Sequence, residues 1–265
     1  MDVIVCIKQV PDTRHVRLDP ETNTLKREGV ESMVNPFDMY AIETALRLKD
    51  EFGGTVTALT MGPPQAEAAL RQVVEYGVDR VALLSDRAFA GADTWATGYT
   101  LAKGVEKLGA FDLIVCGKQA VDGDTAQVGP GLAERLGLPF VAFVRRLVQV
   151  DPQSRSMTVE RLMDDGYDVV ETPLPALITV VKEIGEIRVP SLKGKMKAKK
   201  IEVPVYGAAE LGADPDSLGL AGSPTRVVEV FAPKPRGNRV RLEGSPEEQA
   251  DRLIEALRGD KLIAN

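Results

Sequence analysis

The stretch best suited to chemistry runs from Leu113 to Gly137, LIVCGKQAVDGDTAQVGPGLAERLG. Leu113 to Cys116 is a short apolar run bounded by Gly117, the pattern of a buried parallel strand. Val128, Leu132 and Leu136 share a helical face, and Gly137 is placed to stop that helix. Between them lies a polar turn from Gln119 to Gln127, with Gly123 and two acids. A loop that leaves a strand's carboxyl end and opens a helix presents free N–H groups and a positive dipole end, so it suits a nucleotide phosphate. The turn is neither GxxxxGK[ST] nor GxGxxG, and motif alone does not choose the ligand.

Other chemistry is scarce. His15 is the single histidine and no cysteine cluster accompanies it, which removes zinc chemistry. No GxSxG elbow is present, and a hydrolytic triad would have to use His15. Asp164 and Asp165 read as a turn, whereas Asp122 and Asp124 can orient a ribose or a magnesium ion. With no nucleophile or tuned acid–base pair, any reaction must be carried by a cofactor that the chain positions. Residues 193–200 hold five lysines behind Leu192, on a chain of net charge −6. Such a segment is either a solvated loop or a docking surface, with an apolar anchor and cations that steer an acidic partner.

The elements around these residues alternate strand and helix. Strands are expected at Val3–Ile7, Thr55–Met61, Arg80–Leu84, Leu113–Cys116 and Leu138–Phe143. Helices are expected from Pro36 after an Asn35 cap, from Gln65 to Tyr76, from Asp93 or Thr94 to Leu108, and from Val128. This order predicts an α/β fold: a doubly wound, mostly parallel, Rossmann-like sheet. A surface hairpin is expected at 14–30, and Met157–Leu162 and Tyr167–Thr172 form a second hairpin. Leu177–Val181 is a central strand, 185–205 an exposed loop, and 207–225, with six Gly or Pro, an arm or linker. Ser245-Pro246-Glu247-Glu248 opens a last helix. The division expected is a nucleotide-binding domain over 1–205 and a C-terminal arm with its helix over 206–265.

Composition removes further classes. Aromatic residues are 5% of the chain, and the acidic balance argues against a nucleic-acid partner. Cys6 and Cys116 fall in buried strands, as core residues of a reducing compartment. No apolar run is long enough to span a bilayer and the N-terminus reads as a strand, so the cytoplasm is expected, without membrane insertion.

Five segments in order carry a resemblance: VIVCIKQVPD at 3–12, VNPFD at 34–38, CGKQAVDGDTAQVG at 116–129, VERLMDDGYDVVETPLPALIT at 159–179 and PSLKGKMKAKKIE at 190–202. Together they resemble the β subunits of electron-transfer flavoproteins over essentially the whole chain. One slot departs, Asp168 standing where Glu or Gln is usual. The resemblance implies a heterodimer with an α subunit that carries the redox FAD, no catalytic side chain in this chain, and a nucleotide in this subunit. Its binding residues would be Cys6, Asn35, Pro36, Phe37, Asp38, Met61, Gly117, Lys118, Gln119, Ala120, Val121, Asp122, Gly123, Asp124, Thr125, Ala126, Gln127 and Val128. Leu192 with Lys193, Lys195, Lys197, Lys199 and Lys200 matches the loop that docks on partner dehydrogenases, and the C-terminal arm matches the part that embraces the α subunit.

The family divides over the nucleotide. One branch holds structural AMP and has a D-D-D-x-N-Q-T-G turn; here the turn reads Asp122-Gly123-Asp124-Thr125-Ala126-Gln127-Val128-Gly129. Ala for Asn and Gly for Asp make room, which resembles the branch whose β subunit holds a second FAD, reduced by NADH and bifurcating electrons. FAD is the expectation and AMP the alternative. A nucleotide-binding regulatory module of the universal-stress type is a further reading. An ATP-using ligase would want an SGGxD loop, which is absent.

Overall fold

The apolar runs form strands because both faces of the sheet are covered, so each strand must be hydrophobic on both sides. The computed structural model describes residues 1–12, 32–229 and 240–263, and the backbone of two short strands at 17–18 and 25–26. The strands are β1 (Val3–Cys6), β2 (Gln9–Pro11), β3 (Arg17–Leu18), β4 (Leu25–Lys26), β5 (Ser32–Val34), β6 (Val56–Met61), β7 (Arg80–Leu84), β8 (Leu113–Gly117), β9 (Phe140–Asp151), β10 (Ser156–Leu162), β11 (Tyr167–Pro173), β12 (Ala176–Val180) and β13 (Val205–Tyr206). The helices are α1 (Pro36–Phe52), α2 (Glu67–Tyr76), α3 (Thr94–Leu108), α4 (Val128–Leu136), α5 (Leu192–Ala198) and α6 (Pro246–Gly259).

Nine strands form one sheet in the order β11-β10-β9-β12-β8-β1-β6-β7-β13. From β9 to β13 every neighbour is parallel, and β10 and β11 are added antiparallel at one edge. Alternation along β1 sorts the core into two layers. Val3 and Val5 pack with Ile42, Leu46 and Leu70 of α1 and α2. Ile4 and Cys6 face Leu101, Val105 and Leu132 of α3 and α4. Each fully buried leucine or isoleucine contributes roughly 1.5–3 kcal/mol of transfer energy, so the two layers hold the sheet in a fixed frame. The expected doubly wound α/β architecture is what forms.

Several local features differ from the sequence reading. β9 continues from the expected strand out to Asp151, where it turns into β10. Bulges between Thr158 and Val159 and between Glu160 and Arg161 bend that hairpin. The loop expected at 185–205 contains helix α5, whose first amides are capped by Ser191 through Gly194 N–H at 2.9 Å. Its approach is fixed by Arg188, which donates to the buried Glu43 at 2.8 Å and to Asp50 at 2.8 Å. Burial pushes the Glu43 carboxyl up, but hydrogen bonds from Arg188 and Arg47 more than offset it and leave it below the usual range. Of the hairpin expected at 14–30, β3 and β4 pair antiparallel, and the remainder, with His15, lies outside the described residues.

Compact packing divides the chain into Met1–Arg226 and Val227–Asn265. Residues 206–226, read from the sequence as arm, lie in the first unit. There Tyr206 pairs with Leu84, and Leu211 and Leu218 join the α3/α4 layer. The second unit contains α6, opened by a complete capping box between Ser245 and Glu248 and burying none of its residues.

Candidate functional site

Strand order reverses beside β1: the chain runs from β1 to β6 and β7 on one side, then crosses to β8 and β12 on the other. Ligands of open α/β sheets bind at this crevice, outside the carboxyl ends of the strands. Four pieces converge there: the exit of β1 at Ile7–Lys8, the start of α1, the turn 118–127 and the start of α4.

Gly117 sets how close they come. A Cβ at this position would overlap the Asp38 carboxylate and the Phe37 carbonyl carbon, so only glycine lets the start of α1 rest on the end of β8. Asn35 occupies the N-cap position of α1, but its side chain makes no cap bond. Instead, Asn35 Nδ2 donates to the Gln119 carbonyl at 2.8 Å, and Asn35 Oδ1 accepts from Val121 N–H at 3.1 Å. The capping role expected for this side chain is therefore corrected. An amide offers donor and acceptor together, and here both are used to clamp the turn across the crevice.

Asp38 is buried beneath that clamp and accepts from Lys8 N–H at 2.7 Å. Burial pushes its carboxyl up to about 7, although hydrogen bonds from Asn35 and from the Lys8 and Gly117 amides pull the other way. Lys8 Nζ reaches over to Asp122, 2.7 and 2.8 Å from its two oxygens. Gln119 donates to Asp124, and Asp124 N–H returns to the Ala120 carbonyl at 2.8 Å. The two acids are thus held inside the turn by Lys8 and Gln119.

Asp124 and Ala126 have φ of 53° and 54°, in the left-handed region. Such non-glycine residues cost of order 1 kcal/mol each and cluster where a loop is shaped for a purpose. Gly123 is different: its φ is not left-handed, and a Cβ there would meet nothing within 4 Å. At the end of the turn α4 begins without a side-chain cap. The Val128 and Gly129 amides are the first in the helix, so no intrahelical carbonyl serves them, and Pro130 carries no N–H. Those amides, the helix dipole and the open ground above Gly123 suit a phosphorylated ligand.

The remaining expected residues fall around this centre. Pro36 and Thr125 are exposed, and Phe37, Ala120 and Gln127 border the same loops. Cys6 and Cys116 are in register at the ends of β1 and β8, buried as free thiols, with the Cys116 thiol pushed up by its hydrogen bond to Cys6 and by burial. The Cys6 sulfur packs in the α3/α4 layer of the core. Met61 ends β6 and is half-buried. Lys118 Nζ lies 5.2 Å from the centre of the Phe143 ring.

On α5, Leu192 is 77% exposed, with Lys193 and Lys195, and Lys199 and Lys200 just past its end are exposed too. Lys197 is turned back, donating to the carbonyls of Val78 and Asp79 at 3.1 and 3.2 Å. Sequence reasoning missed the Asn35 clamp, the Lys8–Asp122 pair, and the stacking of Arg135 on Trp95, 4.2 Å from the ring centre. The i, i+4 logic of single helices could not find the last, because it joins α3 to α4. Among the described residues no helix is long and apolar enough to cross a membrane.

The model of the electron transfer flavoprotein domain matches residues 22–211. The chain is 48% identical over 260 residues to Protein FixA of Azotobacter vinelandii, covering 97% of this chain and 92% of that protein. It is 46% identical to the electron transfer flavoprotein subunit beta of Thermoanaerobacterium thermosaccharolyticum, covering 99% and 100%. It is 44% identical to the caffeyl-CoA reductase-Etf complex subunit CarD of Acetobacterium woodii, again covering 99% and 100%. The regulatory-module and ligase readings give way to this result. With a family model over most of its length and near-complete relatives, the chain belongs to the electron transfer flavoprotein β-subunit family.

Proposed function

We propose that this chain is the β subunit of a heterodimeric electron-transfer flavoprotein that holds FAD in the crevice between β1 and β8, with NADH as the reductant and electron bifurcation as the outcome. The observation that carries the choice of ligand is the pair Gly123 and Ala126. Neither backbone angle nor crowding requires glycine at 123. At 126 the left-handed backbone would suit asparagine better than alanine. Both residues go against local preference in the direction of less bulk, and a dinucleotide is the larger of the two candidate ligands.

The residues present fit such a group. The Val128 and Gly129 amides would hold its phosphate, Asn35 fixes the turn around it, and Lys8 keeps Asp122 from repelling it. When bound, the flavin supplies one- and two-electron chemistry. The chain itself binds, orients and excludes water; none of its side chains acts as a catalyst. The cations around Leu192 on α5 steer acidic redox partners, and α6, which buries no residue of its own, covers the α subunit with its flavin. The assembly works in the cytoplasm.

The test is anaerobic addition of NADH to the purified heterodimer. The expected result is bleaching of the visible flavin absorbance. Flavin that stays oxidised under NADH contradicts the role assigned to the crevice nucleotide.

A further inference from the structure

We propose that Trp95, Arg135 and the loop 216–224 form the anchor on which the α subunit sits, a surface that rests on the heterodimer reading above. Trp95 is the chain's single tryptophan and is 59% exposed. It does not hang free. The Arg135 guanidinium lies 4.2 Å from its ring centre and 5.4 Å from that of Tyr99, and donates to the Trp95 carbonyl at 3.1 Å. A flat, cation-backed indole on two packed helices is the composition of an interface hot spot.

The loop beside it is equally fixed. With Trp95 it borders a shallow, open depression of about 520 Å³ lined by Asp216, Ala221, Gly222, Ser223 and Pro224. Asp93 caps α3 and at the same time accepts from the Thr225 hydroxyl at 2.8 Å and the Thr225 amide at 3.0 Å. Its own amide donates to Ser223 Oγ at 2.8 Å, and Leu220 N–H donates to the Ala90 carbonyl at 3.0 Å. Small side chains in a pinned loop leave a shallow surface held in place by hydrogen bonds, which loses little entropy on docking.

The occupant follows from where the chain goes next. Thr225 is held at this depression, and Arg226 is the last residue of the first unit. The 39 residues from Val227 to Asn265 start from here, and their helix α6 buries none of its residues. A tail that must cover a partner, tethered at this point, places that partner within reach of Trp95 at high effective concentration.

The experiment uses the co-expressed heterodimer labelled with 5-fluorotryptophan, with the Trp95 resonance assigned by its loss in Trp95→Phe. In the complex this resonance should be insensitive to exchange of H2O for D2O, and Trp95→Ala should weaken the heterodimer by at least roughly tenfold on dilution. Arg135→Glu should act in the same direction. A full solvent shift, with dissociation unchanged in both variants, overturns the anchor while leaving the heterodimer standing. A resonance that moves when the nucleotide is removed from an intact heterodimer also overturns it, because the surface is then a ligand platform. Failure to form any heterodimer overturns the reading beneath it, and the anchor with it.

Discussion

Asn35 shows how much one amide can decide. Its side chain is buried and spans from α1 to the turn, so removing it leaves the Gln119 carbonyl and the Val121 amide without their partner. Each unsatisfied group costs about 1–3 kcal/mol when buried. Asn35→Ala is expected to lower nucleotide retention on desalting of the heterodimer by tenfold or more, while far-UV circular dichroism stays unchanged, since α1 keeps its backbone bonds. Asp38 makes a different prediction. Burial holds its carboxyl at about 7 in the folded chain, against an ordinary value of 3.8. Between those values the folded protein keeps a proton that the unfolded chain has released, so this residue's contribution to stability falls as pH rises through the window and levels off above it. Asp38→Asn retains an acceptor for the Lys8 amide and removes the titration. Urea midpoints at pH 5 and pH 8 should therefore converge in the variant, and an unchanged difference between the two pH values would contradict the assignment.

Among the elements, the turn 118–127 and helix α5, the two parts given roles in the proposed function, are built in opposite ways. The turn is shaped by strain and cross-links. Replacing Gly123→Asp together with Ala126→Asn adds bulk where the ligand is expected and fits the left-handed slot better. The double variant should fold at least as well and lose FAD from this subunit, read as flavin per heterodimer. Helix α5 is seated closely at Gly194, where a Cβ would overlap the Glu75 carbonyl, and Arg71 and Lys197 add hydrogen bonds at its far end. Gly194→Ala should lift α5 from α2, at roughly 1–3 kcal/mol for an overpacked contact. It should slow electron transfer with a dehydrogenase partner and leave nucleotide content intact. Legibility divided along the same lines. The parallel strands and helices α1 to α4 could be read because burial on two faces and amphipathic periodicity are written in many residues at once. Helix α5 was hidden because its seat is one glycine and one alanine among lysines. The packing of 206–226 was hidden because Leu211 and Leu218 are isolated apolar residues in a Gly- and Pro-rich stretch with no period. The crevice could be located from strand–turn–helix order alone, but the Asn35 clamp could not, since an asparagine before a proline reads equally well as a cap.

At the scale of the molecule, a doubly wound sheet brings the ends of β1 and β8 together at one reversal of strand order. The antiparallel hairpin β10–β11 extends the sheet on one edge and α5 presents cations on another face. The chain after Arg226 carries an amphipathic helix that its own unit leaves uncovered. On the proposed reading such a molecule is half of a machine, holding a cofactor and displaying surfaces to its partners. The claim on which this rests is the identity of what the crevice holds. Nucleotide released by denaturing the intact heterodimer and counted by chromatography tests it directly. The account predicts two FAD per heterodimer and no AMP. One FAD with one AMP would contradict it.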